Sequence, residues 1–252
     1  MLLNIDYRGL EGFLRGLFRL IHFDVPDYTT ICRRVNKLSI EIKKTLIPYK
    51  GKEVVISLDS SGAKVANRGE WMRQKWKVRR GWIKVHISVD DQNKQVVGIE
   101  ATDESISDTK EFENLVEQSV ENVEAAGGKV VQANADGAYD SNDNFKTLES
   151  HDITPAIKIR ENEGPTYRSK NPRKGYAREF RELGYDSWRD RYKYGKRWYS
   201  EGTFSAVKRK FGEFIRATKV KNMFHEVKLK YFFYNAIIKY DAIHGSFLAC
   251  LI

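Results

Sequence analysis

The run Glu53-Val54-Val55-Ile56-Ser57-Leu58-Asp59 constrains the fold more than any other stretch. It is short and nearly continuous in apolar residues, which marks a strand buried on both faces. Such a strand needs helices over both sides of its sheet, so the chain reads as α/β. The run ends on Asp59 and passes into Ser60-Ser61-Gly62, read as a turn. Active-site acids often stand at the end of a buried strand, and an aspartate that only caps a turn leaves the same trace.

The following segments build a sheet around that strand. Residues 82–89 alternate apolar and polar, residues 90–93 (Asp-Asp-Gln-Asn) turn, and residues 95–101 return as an antiparallel partner. Asp108 opens a helix with Phe112, Leu115, Val116 and Val120 on one face, ending near Gly127-Gly128. A fourth strand, 129–135, runs into Asp136-Gly137-Ala138-Tyr139-Asp140-Ser141, and Ser141 caps a short helix. Residues 153–159 form a fifth strand that Pro155 assigns to an edge. The expectation is a five-stranded mixed sheet flanked by helices. If the first and fourth strands are parallel neighbours, the helix from Asp108 is their crossover, and Asp59 and Asp136 share one crevice.

Residues 1–50 read as a small helical region, and 51–252 as the main domain. Leu10, Phe13, Leu14, Leu17, Phe18 and Ile21 recur at helical spacing, Pro26 breaks the helix, and Asp27 caps a second helix over 29–38. That pair is either a helix-turn-helix fragment or a hairpin packed on the main domain. Residues 40–46 read as a third helix. Residues 63–80 read as a basic, Trp-bearing loop and 161–191 as a mobile basic loop, followed by helices over 198–211 and 222–240.

The formal net charge is +10, and residues 168–219 hold 16 Lys/Arg against 6 Asp/Glu, so the excess of ten lies there. A second basic cluster includes Arg79 and Arg80, and both clusters carry aromatics such as Trp76 and Trp198. Basic groups release counterions from phosphates and aromatics stack on bases, so nucleic acid is the expected partner. Cys32 and Cys250 form no disulfide framework or zinc spacing, and no run approaches transmembrane length. A reducing, cytoplasmic and nucleoid-associated setting is expected, with no membrane partner.

Tyr194, Arg197, Glu201 and Lys208 are spaced by three, four and seven. On a helix these steps return to one face, placing a carboxylate between an arginine and a lysine. Alone, this is equally a solvated ion-pair helix. Together with Asp59 and Asp136, Glu201 completes three acids that repel one another unless a divalent cation intervenes. Two such ions about 4 Å apart promote in-line displacement at a phosphodiester.

The residues Tyr194, Arg197, Glu201 and Lys208 also match, position by position, the late signature Tyr-x2-Arg-x3-Glu-x6-Lys. Asp136-Gly137-Ala138-Tyr139-Asp140 fits the middle motif, and the strand ending in Asp59 fits the first. The chain therefore resembles a DDE transposase of a prokaryotic insertion sequence, in the insertion-sequence four/five superfamily, from about residue 51 to 240. The resemblance implies an RNase H-like fold and cleavage and strand transfer at terminal inverted repeats. It implies two Mg²⁺ ions, or Mn²⁺ in their place, held by Asp59, Asp136 and Glu201. It makes Tyr194, Arg197 and Lys208 contacts to the DNA end. Lys196, Arg209, Arg79, Arg80 and Trp76 extend the expected DNA-binding set, and a homodimer is expected on DNA. The segment between Asp136 and Glu201 is too short for the large β-rich insertion of some relatives, and the amino-terminal region is shorter than is usual. The competing readings are an inactive or repurposed DNA-binding element product and an RNase H-like nuclease.

Overall fold

The computed structural model describes residues 5–66, 69–77, 81–160 and 171–245. Its strands are β1 (Glu53–Val65), β2 (Ile83–Asp90), β3 (Val96–Asp103), β4 (Lys129–Ala135), β5 (Thr154–Ile157) and β6 (Phe214–Ile215). The helices are α1 (Tyr7–Phe18), α2 (Tyr28–Val35), α3 (Gly69–Trp76), α4 (Asp108–Ala125), α5 (Asn142–Ser150), α6 (Pro172–Arg191), α7 (Trp198–Phe211) and α8 (Val220–His244). The sheet order is β3-β2-β1-β4-β5, with the two-residue β6 added to the far end of β1. β2 is antiparallel to β1 and β3, and β4 is parallel to β1 and β5. This is the RNase H-like α/β architecture expected above, with a sixth strand too short to leave a sequence pattern.

β1 is central because both its faces are covered: Val54, Ile56, Ser57 and Leu58 are all buried. Phe112, Leu115, Val116, Ser119 and Val123 are the buried residues of α4, at helical spacing. α4 approaches closely because Gly98 has no side chain. A Cβ there would lie 2.5 Å from Ser88 Oγ and 3.1 Å from the Leu115 carbonyl. As the crossover between β3 and β4, α4 brings β4 alongside β1.

Several expectations change. β1 does not stop at Asp59 but continues to Val65, because β2 pairs with it through Ser60↔His86, Ser61↔Val85, Gly62↔Lys84 and Ala63↔Ile83. Ser-Ser-Gly reads as a turn from composition, yet the partner strand takes up its backbone groups. Gly62 is required there, since an added Cβ would lie 2.3 Å from the Trp82 ring. The supposed loop 63–80 contains α3. In place of a mobile loop, residues 172–191 form α6, started by Asn171 as cap and Pro172 in the first turn, and kinked at Gly184 with φ 72°. Residues 161–170 lie outside the described residues. Ser107, not Asp108, is the cap of α4, and Asp108 pairs instead with Lys84 at 2.8 Å. The third amino-terminal helix is only a 3-10 turn, Ile42–Thr45.

α1 and α2 form a helical hairpin, in which the Tyr28 amide donates to Glu11 at 2.8 Å. α1 ends at Phe18, and Phe13, Phe18 and Ile21 are exposed rather than inward. The second helix stops at Val35 rather than 38, and Leu38 beyond it is exposed. His225 of α8 bonds the Val35 carbonyl at 2.8 Å and ties the hairpin to the main body. Among the described residues no helix is long and apolar enough to cross a membrane.

Two buried polar clusters stand out. Asp140 takes a two-pronged bond from Arg173 of α6, at 2.5 and 2.7 Å, and a third bond from the Arg160 amide at 2.8 Å. This fixes α6 to the turn that follows Asp136. Near the middle of the sheet, Asp91 accepts from Ser57 at 2.6 Å and from Asn134 at 3.0 Å. Burial pushes the Asp91 carboxyl up to about 7, against the hydrogen bonds that favour its ionised form.

Two outcomes are expected. Arg173→Ala leaves Asp140 buried without its counter-charge and should cost about 3–5 kcal/mol in urea denaturation. Asp91 keeps in the folded chain a proton that the unfolded chain releases near the ordinary carboxylate range, so its contribution to stability falls as pH rises from about 4 through 7. Paired melts of wild type and Asp91→Asn across pH 4.5–8 should show the difference moving in favour of the variant as pH rises.

Candidate active site

The site assembles where the parallel pairing of β1 and β4 stops. The last matched pair is Ser57↔Asn134, and Asp59 and Asp136 lie two residues farther along their chains. Alternation therefore places Ser57, Asp59 and Ser61 on one face of β1. Asp136 is the first residue beyond β4 and caps the short turn Gly137–Tyr139, its Oδ1 accepting from the Ala138 amide at 2.8 Å. Asp59 Oδ1 accepts from the Ser60 amide at 2.8 Å, and its Oδ2 from Ser200 Oγ at 3.1 Å.

The stretch from Tyr194 to Lys208 is not one helix. Tyr194–Arg197 is a 3-10 turn entered through Lys193 at φ 50°, and α7 begins at Trp198. Three side chains pin this stretch onto the two strands. The Tyr194 hydroxyl donates to the Ala135 carbonyl at 3.1 Å, one residue before Asp136. Ser200 donates to Asp59, and Lys208 Nζ donates to Ser61 Oγ at 2.9 Å. Ser200 and Ser61 are the site residues that sequence reasoning missed. Ser61 stands two positions after Asp59 on the same face, a signal hidden once Asp59 is taken as a strand end. Ser200 has no sequence signal apart from its place beside Glu201.

Arg197 lies between two of the acids. Its Nη2 donates to Glu201 Oε1 at 2.9 Å, while Nη1 stands 3.6 Å from Asp59 Oδ2. Burial raises the Asp59 carboxyl; the Ser60 amide, Arg197 and Ser200 oppose that shift, and Asp136 adds to it. Asp59 and Asp136 are thus within electrostatic reach of each other. Glu201 reaches Asp59 only through the guanidinium, and its side chain is 61% exposed.

The other expected residues fall as follows. Tyr194 is buried among Trp188 and Ala156, so its ring is part of the framework under the site. Lys196 and Arg209 are exposed on the 3-10 turn and on α7. Arg79, Arg80 and the side chain of Trp76 lie outside the described residues.

The donor set suits a hard divalent cation: all three acids offer carboxylate oxygens, and a cationic group already bridges two of them. Among the described residues no group of three His, Cys, Asp or Glu is gathered closely enough to hold one ion, and Glu201 is bonded to Arg197.

Comparison with known proteins gives the site its context. A solved intasome of simian T-cell lymphotropic virus, in complex with the PP2A regulatory subunit B56 gamma, aligns over 87% of this chain and 74% of the other, at 12% identity and a TM-score of 0.31. Two family models match, both described as transposase DDE domain, one over residues 50–236 and the other over residues 1–68. The first spans β1, β4, α7 and all three acids, and the chain belongs to the DDE transposases, enzymes that cut DNA and transfer its strands.

Proposed function

We propose that this chain cleaves and joins DNA at the terminal inverted repeats of an insertion sequence, with Asp59, Asp136 and Glu201 holding two Mg²⁺ ions. The observation that carries the reading is the placement of Asp59 and Asp136 at the same end of two neighbouring parallel strands, with α7 pinned to β1 by Ser200 and Lys208 and the 3-10 turn before it pinned to β4 by Tyr194. When bound, the metal ions supply activation of the attacking oxygen and stabilisation of the leaving 3′ oxygen. Water is the first nucleophile: its oxygen bonds to phosphorus as the bond to the 3′ oxygen breaks, leaving a 3′ hydroxyl. That hydroxyl then attacks a phosphodiester of the target, and one phosphate ester replaces another.

The residues of α7 position the DNA. A phosphate offers the guanidinium of Arg197 two acceptor oxygens in the geometry it favours. Arg197 moving onto phosphate frees Asp59 and Glu201 together, which makes the third ligand available when substrate is present. Lys208, with Lys196 and Arg209, follows the backbone on the same side. Tyr194 acts from beneath, holding the 3-10 turn to the end of β4. On this reading Arg79, Arg80 and Trp76 serve as further DNA contacts, and so do the exposed Arg33, Arg34 and Lys37 of the amino-terminal region, residues 1–50. The protein assembles as a homodimer on the paired ends and works at the nucleoid. Mn²⁺ serves in place of Mg²⁺.

Asp59→Ala, Asp136→Ala and Glu201→Ala are each expected to abolish Mg²⁺-dependent nicking of a terminal-repeat duplex while still binding it in Ca²⁺. Nicking by all three variants at the wild-type rate contradicts the assignment, and binding without cleavage by the wild type favours a repurposed DNA-binding product. Equal cleavage of duplexes with and without a repeat end favours a nuclease. Arg197→Ala and Lys208→Ala should each lower the slope of log affinity against log salt by about 1, as expected for one lost phosphate contact. Arg197→Lys should restore the slope without restoring full activity, because an ammonium cannot make the two-pronged bond.

A further inference from the structure

Each site aspartate follows a buried polar residue two positions earlier on its own strand, Ser57 before Asp59 and Asn134 before Asp136. Ser57 and Asn134 oppose each other at the last matched pair of β1 and β4. Both donate to one carboxylate, that of Asp91, which belongs to neither strand. It comes from the turn after β2, and its own amide is bonded to the Val55 carbonyl at 3.0 Å. Asn134 cannot turn its amide over without loss, because Gln132 Nε2 donates to its Oδ1 at 2.8 Å. Gln132 also donates to the Tyr192 carbonyl, two residues before Tyr194.

A buried carboxylate is a costly way to fill space, and an apolar side chain of similar volume generally packs at least as well. A carboxylate adds two acceptors in fixed directions. Here one acceptor faces each strand, at the final point where the strands are matched. Beyond it β1 pairs on with β2 while β4 turns into the loop of Asp136, so nothing farther out sets their separation through β pairing.

We propose that Asp91 is a positioning residue for the metal site, clamping β1 to β4 through Ser57 and Asn134 and so setting the separation of the Asp59 and Asp136 carboxylates. The inference rests on the functional reading above. Outer groups that orient ligands typically change metal affinity by about 10–100-fold when removed.

The test, at pH 8, measures Mn²⁺ binding to the complex with a terminal-repeat duplex by electron paramagnetic resonance, the Mg²⁺ needed for half-maximal nicking, DNA affinity in Ca²⁺ and circular dichroism. It compares wild type, Asp91→Asn, Ser57→Ala, the double variant and Asp59→Ala. Asp91→Asn keeps the shape but replaces one of the two acceptors by an amide donor, so either Ser57 or Asn134 loses the oxygen it donates to. It should bind Mn²⁺ about tenfold more weakly, with the Mg²⁺ requirement raised in step. Its DNA affinity and dichroism should stay at wild-type values, and nicking at saturating metal should fall far less than metal affinity. Ser57→Ala should shift metal affinity in the same direction, and the double variant should lose less than the sum of the two. A purely structural role lowers DNA affinity, rate and melting temperature together and overturns the proposal. So does a folded Asp91→Asn with wild-type Mn²⁺ affinity, or, if that variant does not fold, a Ser57→Ala with wild-type affinity. Wild-type protein that binds Mn²⁺ no better than Asp59→Ala, and does not nick, overturns the functional reading and this inference with it.

Discussion

The parallel pairing of β1 and β4 is the contact on which the rest depends. It carries two carboxylates, Asp59 and Asp136, to the same end of adjacent strands, where burial disfavours the ionised form of Asp59 and the neighbouring Asp136 adds to that. A sheet does not hold two such acids together without reinforcement. The reinforcement is visible on every side. α4 lies against the sheet where Gly98 admits it, the Asp140–Arg173 pair fixes the turn behind Asp136, and α7 crosses above.

Arg197 explains how the chain sustains the site without that cation. Its guanidinium takes up Glu201 and stands near Asp59, so the acids are partly neutralised in the isolated protein. Carboxylate and phosphate make similar demands on a guanidinium. On the function proposed above, a DNA phosphate competes for this guanidinium, and binding substrate frees Glu201 as the third ligand.

Much of this was legible from residue patterns. The apolar run at 53–58, the alternation over 82–89 and the Asp-Gly turn at 136 led to the correct central strands and crossover. The spacing of Tyr194, Arg197, Glu201 and Lys208 correctly put Arg197 beside Glu201. What stayed hidden has physical causes. Ser60-Ser61-Gly62 looks like a turn because its backbone bonds depend on β2, a long-range partner that local composition does not reveal. α6 looks like a loop because few of its side chains are buried, and one of those is Arg173, paired with Asp140 across the fold. Tyr194 is expected from its motif as a contact to the DNA end, and its hydroxyl bonds the Ala135 carbonyl instead of facing outward. Asp91 sat in a turn rich in Asp and Asn, where nothing local separates a buried clamp from a solvated corner.

The central claim is that Asp59, Asp136 and Glu201 come to share metal ions when DNA draws Arg197 away. The most direct measurement is a crystal structure of the protein on a terminal-repeat duplex soaked in Mn²⁺, with the ions located by anomalous scattering. The account predicts Mn²⁺ bound by all three carboxylates, and Arg197 on a DNA phosphate. Mn²⁺ elsewhere, or Glu201 still bonded to Arg197 with DNA in place, would contradict it.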